Sequence, residues 1–151
     1  MIRKAQLSDM KIIHQLIMEQ AKFGHILARA ISDLYSQVRD FSVLVDDATG
    51  EILGCGSLHI VWEDLAEIRS LAVKSSHQSR GLGTLLIDFL LKEANELGIR
   101  RVFVLTYRIT LFEKLGFSVM DKSQLPHKIW ADCIKCTKFP ECDEVALVKI
   151  Q

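Results

Sequence analysis

Polar and apolar residues alternate from Ile2 to Ala5, which predicts a short strand, and the chain then changes period. Ile12, Ile13, Leu16 and Ile17 recur at the spacing of one helix face, with Ser8 placed to cap its start. Ile31, Leu34, Tyr35 and Val38 repeat that spacing in a second helix, and Gly24 with residues 25–29 connects the two. Phe41–Val45 and Ile52–Val61 read as strands on either side of Asp46-Asp47-Ala48-Thr49-Gly50, whose residue types favour a turn, so the pair predicts antiparallel sheet. Ala66–Val73 supplies the next strand. Leu82, Leu85, Leu86, Phe89, Leu90, Ala94 and Leu97 then trace one buried helix face that Gly98 stops. A strand over Arg101–Leu105, a short helix over Ile109–Leu115 ended by Gly116, a strand over Phe117–Val119 and a closing strand over Glu144–Ile150 complete the pattern, with a polar, cysteine-bearing segment from Asp121 to Asp143. No internal repeat interrupts it.

A chain of 151 residues fits a single domain, large enough to bury about two thirds of its unfolded surface. Its 19 basic residues balance 19 acidic ones, so no field attracts nucleic acid or an anionic membrane, and small-molecule partners are expected. Without an apolar signal core or an apolar run near the ~20 residues that span a bilayer, a cytoplasmic location is expected. The four cysteines are then expected as thiols or metal ligands rather than disulfides.

The strand Glu67–Val73 runs through a short polar loop into Gln78-Ser79-Arg80-Gly81-Leu82-Gly83, which opens the long helix. Glycines there let backbone N–H groups approach a ligand closely, and the positive end of the helix dipole faces the same point. Such a site suits a diphosphate. The spacing Gln/Arg-x-x-Gly-x-Gly/Ala after a strand and before a helix resembles the pyrophosphate signature of the GNAT N-acetyltransferases. Further stretches are similar to the short, stand-alone N-acetylglutamate synthases of that superfamily: residues 53–59 (Leu-Gly-Cys-Gly-Ser-Leu-His), 66–73, 102–107, 112–117, 125–130 and Asp132-Cys133. The resemblance implies an α/β (α+β) acyl-CoA N-acyltransferase fold, a mixed and mostly antiparallel central sheet flanked by helices. It implies acetyl-CoA as cosubstrate, with no metal required for the chemistry.

By the same resemblance, the backbone of Leu71, Ala72 and Val73 is expected to bond the pantetheine arm. The N–H groups of Ser79, Arg80, Gly81, Leu82, Gly83 and Thr84 are expected to hold the pyrophosphate, with the Gln78 and Arg80 side chains nearby. Glu67 occupies a strand position that serves as general base in several acetyltransferases, directly or through a water; the alternatives are an exposed strand carboxylate, a partner for Arg69 two residues along on the same face, or an amine that loses its proton to a water chain with no dedicated residue. Many relatives carry a tyrosine where this chain has Phe112, a position expected against the cofactor, and phenylalanine cannot donate a proton to the leaving thiolate. Tyr107 is the available phenol, with packing or protonation by solvent as alternatives. Arg29, Arg69 and Arg108 are candidates for the two carboxylates of glutamate, since buried carboxylates call for planar cationic forks, and Ser70 and Thr106 could add hydrogen bonds. Cys133, Cys136 and Cys142 form Cys-x2-Cys-x5-Cys with His127 upstream, which reads as thiols or as a structural metal knuckle. Cys55 reads as a small buried strand residue. His59 reads as packed or hydrogen-bonded, or as a proton relay if it faces the cleft.

The expected activity is acetyl-CoA-dependent N-acetylation of the α-amino group of L-glutamate, the first step of arginine biosynthesis, by direct transfer in a ternary complex. The alternatives are another amine (a different amino acid, a polyamine or a protein N-terminus) or a non-catalytic acyl-CoA sensor. Arginines in the pocket argue against a polyamine, which wants carboxylates. The partners are then acetyl-CoA and L-glutamate, with a homodimer admitted.

Overall fold

The computed structural model describes residues 1–78, 80–125 and 144–151. Strands β1 (Ile2–Lys4), β2 (Phe41–Val45), β3 (Ile52–Trp62), β4 (Leu65–Val73), β5 (Arg101–Thr106), β6 (Ser118–Met120) and β7 (Val145–Ile150) form one sheet. Its spatial order is β1-β2-β3-β4-β5-β7-β6. Helices α1 (Met10–Lys22) and α2 (Ile31–Ser36) follow β1, α3 (Leu82–Glu96) links β4 to β5, and α4 (Ile109–Lys114) follows β5. Every neighbouring pair is antiparallel except β4 and β5, which the α3 crossover makes parallel. This is the mixed, mostly antiparallel sheet flanked by helices that the sequence leads one to expect.

The two faces of the sheet are covered differently. Ile87, Leu90, Leu91 and Ala94 of α3, with Phe112 of α4 and Phe117, pack on Leu58, Ala66, Ile68, Val102, Val104 and Leu147. Close approach of α3 depends on two glycines of β3: a β-carbon on Gly54 would lie 3.1 Å from Leu86 Cδ1, and one on Gly56 3.1 Å from Leu90 Cδ1. On the opposite face, Met10, Ile13, Leu16, Ile17 and Leu34 cover Phe41, Val43, Cys55 and Ala72. Val61, Leu65, Phe103, Ala146 and Leu125 form a separate apolar patch.

Several expected helix faces are corrected. Ile12, Tyr35, Leu85 and Leu97 are exposed, and Ile87 and Leu91 are buried instead of the latter two. The apolar arc of α3 is wider than one face, so periodicity alone leaves its rotation open and the contact with β3 chooses it. Ser8 does not cap α1. A short 3-10 turn, Leu7–Asp9, precedes the helix, and Asp9 Oδ2 accepts the Gln6 N–H at 2.8 Å while Arg3 grips both its oxygens at 2.7 and 3.1 Å. That guanidinium holds the Asp9 carboxyl below its usual range.

Candidate active site

Pairing between β4 and β5 ends at Ile68–Val104, although β4 continues to Val73 and β5 to Thr106. The cause lies in β4. Between Cys55–Ala72 and Ser57–Arg69, β3 contributes one intervening residue and β4 two, so Ser70 and Leu71 form a bulge. Ser70 takes φ +53°, the only non-glycine described in the left-handed region. Such a conformation costs a non-glycine residue on the order of 1–3 kcal/mol. Side chains hold the bulge: Ser57 Oγ donates to the Arg69 carbonyl at 3.1 Å and Cys55 Sγ to the Ser70 carbonyl at 3.5 Å. Burial pushes the Cys55 thiol up to about 12, so it remains a neutral donor, as its expected role of small buried strand residue requires. The two strands therefore part, and on the β5 side the backbone of Arg69–Val73 faces a slot, while its other edge stays paired with β3 at Arg69, Ala72 and Val73.

The far end of β4 is anchored as firmly. The Val73 carbonyl accepts from Gln20 Nε2 at 3.2 Å and from Gln78 Nε2 at 3.1 Å, and the Lys74 N–H donates to the Leu53 carbonyl at 2.7 Å. Gln78 thus ties its loop to the strand end. Gly81, with φ +75°, turns the chain into α3, and a β-carbon on Gly83 would meet nothing within 4 Å. The N-cap of α3 is Gly81, which has no side chain to bond the N–H groups of Leu82, Gly83 and Thr84 in the first turn. Arg80 is exposed beside them. Ser79 lies outside the described residues.

A polar strip crosses the sheet face between the α1–α2 core and the Val61–Phe103 patch. Ser57 pairs in register with Arg69, and His59 with Glu67, which places all four side chains on one face. Glu67 is 6% exposed, and Arg69 Nε donates to its Oε1 at 2.5 Å. Its role as partner of Arg69 is thereby realised. His59 Nδ1 stands 2.8 Å from Asp40 Oδ2, at the end of the turn before β2. At the bulge, Arg29 Nη1 donates to Ser70 Oγ at 3.4 Å and Nη2 to Gln37 Oε1 at 2.5 Å.

The structure thus sets Glu67, Arg69, Ser70 and the Leu71–Val73 backbone in succession along β4 and brings Arg29 to its bulge. Tyr107, half-buried, and Arg108, exposed, follow the end of β5, where Thr106 Oγ1 accepts the Arg108 N–H at 2.9 Å. Phe112 is placed differently from expectation. It is 2% exposed in the core under α4, edge-on to Phe117 with ring centroids 5.2 Å apart, and so offers almost no surface to a cofactor. Apolar packing wins there because the side chain lacks a hydroxyl that would need water or a ligand. Cys133, Cys136, Cys142 and His127 lie outside the described residues. Among those described, no group of three or more His, Cys, Asp or Glu side chains could hold a metal. Sequence reading missed Gln37, Asp40 and Gln20, whose contacts span 8, 19 and 53 residues and leave no local signal.

Residues 11–117 match the acetyltransferase (GNAT) family. The chain is 36% identical over 148 residues to an uncharacterized N-acetyltransferase of Chlorobaculum tepidum, covering 98% of this chain and 94% of that one. It is 36% identical over 131 residues to an amino-acid acetyltransferase of Mycobacterium tuberculosis, covering 85% and 74%. Its structure superposes with a TM-score of 0.89 and 28% identity on N-acetylglutamate synthase from Neisseria gonorrhoeae, complexed with coenzyme A and N-acetyl-glutamate, over 99% of this chain and 34% of that longer one. A parted parallel strand pair with a glycine turn at its mouth and a match across most of the length lead to one assignment: the chain belongs to the GNAT family of N-acetyltransferases.

Proposed function

We propose that this protein is an acetyl-CoA-dependent amino-acid N-acetyltransferase that acetylates the α-amino group of L-glutamate, working as a single domain. The observation that carries the reading is the pair of guanidinium groups at the β4 bulge: Arg29 bonded to Ser70, and Arg69 beside it on the strand. Two planar forks beside one bulge suit a substrate with two carboxylates. Relatives support it, since one is named an amino-acid acetyltransferase and another an N-acetylglutamate synthase.

The chain fits acetyl-CoA on its own features. The open space at Gly83 and the left-handed Gly81 let backbone approach a phosphate, and the first-turn N–H groups of Leu82–Thr84 would hold it. Residues 71–73 would bond the pantetheine arm along the slot, while acetyl-CoA supplies the activated acetyl group. Arg29 and Arg69 hold the amino acid by its carboxylates. Glu67 takes a proton from the ammonium, directly or through a water, so that the nitrogen can attack. Tyr107 is the phenol nearest in sequence to the β5 side of the slot and is assigned to protonate the leaving thiolate. Phe112 cannot do so.

Incubating the purified protein with acetyl-CoA and each of glutamate, glutamine, aspartate, arginine and spermidine, with product detected by mass, tests this. Product mainly from glutamate is expected, which would place the protein at the entry to arginine biosynthesis. Product from spermidine alone, or coenzyme binding without turnover on any amine, would overturn it.

A further inference from the structure

Acetylation of an ammonium releases two protons from nitrogen: one N–H is lost to free the lone pair and a second as the amide forms. The leaving thiolate takes one. The other must reach solvent in every turnover. Glu67, the assigned acceptor, is 6% exposed and gripped by Arg69, so a proton received there needs a way out.

Directly across the antiparallel pair stands His59, registered opposite Glu67 on the same face. Opposed residues of such a pair have β-carbons about 5 Å apart, within reach of an imidazole. The His59 side chain is 31% exposed, and that of Asp40 26%, so the pair bridges the sheet face and the surface. With Asp40 accepting from Nδ1–H, the neutral ring presents Nε2 as its acceptor. Charged groups on the elements packed against β3 include Arg39 and Asp40 on the turn before β2, Glu67 and Arg69 on β4, Glu63 and Asp64 in the β3–β4 turn, Lys11, His14, Glu19 and Lys22 on α1, and Asp88, Lys92, Glu93 and Glu96 on α3 behind the sheet; of these, Glu67 and Arg69 share the face of His59, and Asp40 bonds it.

We propose that His59, held by Asp40, relays to solvent the proton that Glu67 takes from the substrate amine. In the step, the Glu67 O–H bond breaks as a His59 Nε2–H bond forms, directly or across one water; the imidazolium is stabilised by the Asp40 carboxylate and then gives the Nε2 proton to water. No electron transfer and no co-reactant are involved. Asp40 acts only through His59 and is a positioning residue. The relay rests on the acetyl-transfer reading, and the test separates the two.

His59→Gln and His59→Ala are assayed against the wild type with whichever amine the wild type acetylates. The expected result is a fall in kcat of about ten- to a hundredfold at neutral pH, with KM for both substrates within about twofold, and a displaced acid limb of the pH–rate profile. Imidazole added to His59→Ala should restore turnover in proportion to its unprotonated form, an effect that a packing role would not show. An unchanged pH profile without imidazole rescue overturns the relay while leaving acetyl transfer intact. A second measurement needs no turnover: in 15N-histidine NMR spectra, Nδ1 of His59 should carry the proton in the neutral ring, and Glu67→Gln should shift its titration. A His59 titration indifferent to Glu67→Gln overturns the proposal even if no amine proves to be a substrate.

Discussion

Glu67 and Arg69, two residues apart on one face of β4, form an ion pair of 2.5 Å with their side chains only 8% and 16% exposed. Removing the cation takes from this shielded carboxylate the guanidinium donor at 2.5 Å. Arg69→Leu should lower unfolding free energy by about 1–3 kcal/mol, read as a shift of the urea midpoint at constant slope. Glu67→Gln keeps an acceptor for Nε and should cost less. Equal losses would show that the pair is not what stabilises this stretch.

Gly81 and Gly83 separate the fold from the ligand. At Gly81, φ +75° makes an alanine strained, so Gly81→Ala should destabilise the protein by about 1 kcal/mol. At Gly83 the space is open and the residue is helical, so Gly83→Ala should leave stability unchanged or raise it by about 0.5–1 kcal/mol. The same methyl should weaken coenzyme A binding about tenfold or more, measured by calorimetry, if a phosphate comes against the α3 start. Undiminished affinity in Gly83→Ala would remove the phosphate from this turn.

Arg29 is held between Gln37 and Ser70. Arg29→Ala should raise KM for glutamate about tenfold or more while leaving coenzyme A affinity unchanged. Gln37→Leu, which removes the 2.5 Å acceptor without removing the charge, should raise the same KM by a smaller factor. A rise in KM for acetyl-CoA instead would assign Arg29 to the cofactor.

Asp9 gives the fold a pH dependence remote from the site. Its carboxyl is lowered by the Arg3 hydrogen bonds, so the stabilisation is present above the unfolded value of about pH 4 and is lost as pH falls through the folded value below it. Asp9→Asn should therefore cost about 1–2 kcal/mol at pH 7, and the difference from wild type should shrink steadily below about pH 4 in thermal melts. A difference that stays constant to pH 2 would exclude the Arg3 pairing as its source.

The elements themselves were legible, because each is set by local pattern. Phe41–Val45 is observed with the bounds expected from the turn that follows it, and β3, β4 and β5 depart by a residue at one end. The glycine turn into α3 was legible too, since only glycine takes the left-handed conformation of residue 81 without strain. Which face of α3 is buried was not. Leu85 and Ile87 are equally apolar, and the choice between them depends on where Gly54 and Gly56 let the helix settle.

The sequence by itself determined the strands, the helices and the glycine turn after β4, because periodicity and turn chemistry act over a few residues, while the GNAT sheet followed from the resemblance that its motifs carry. Tertiary structure alone decided what the candidate residues touch. Ser70 reaches φ +53° only because β3 pairs one residue short against β4, and Arg29 meets it across 41 positions because the α1–α2 segment folds back over the sheet. Phe112 went to the core and His59 to Asp40 for the same reason: a contact between distant residues is settled by packing, and packing leaves no period in the chain.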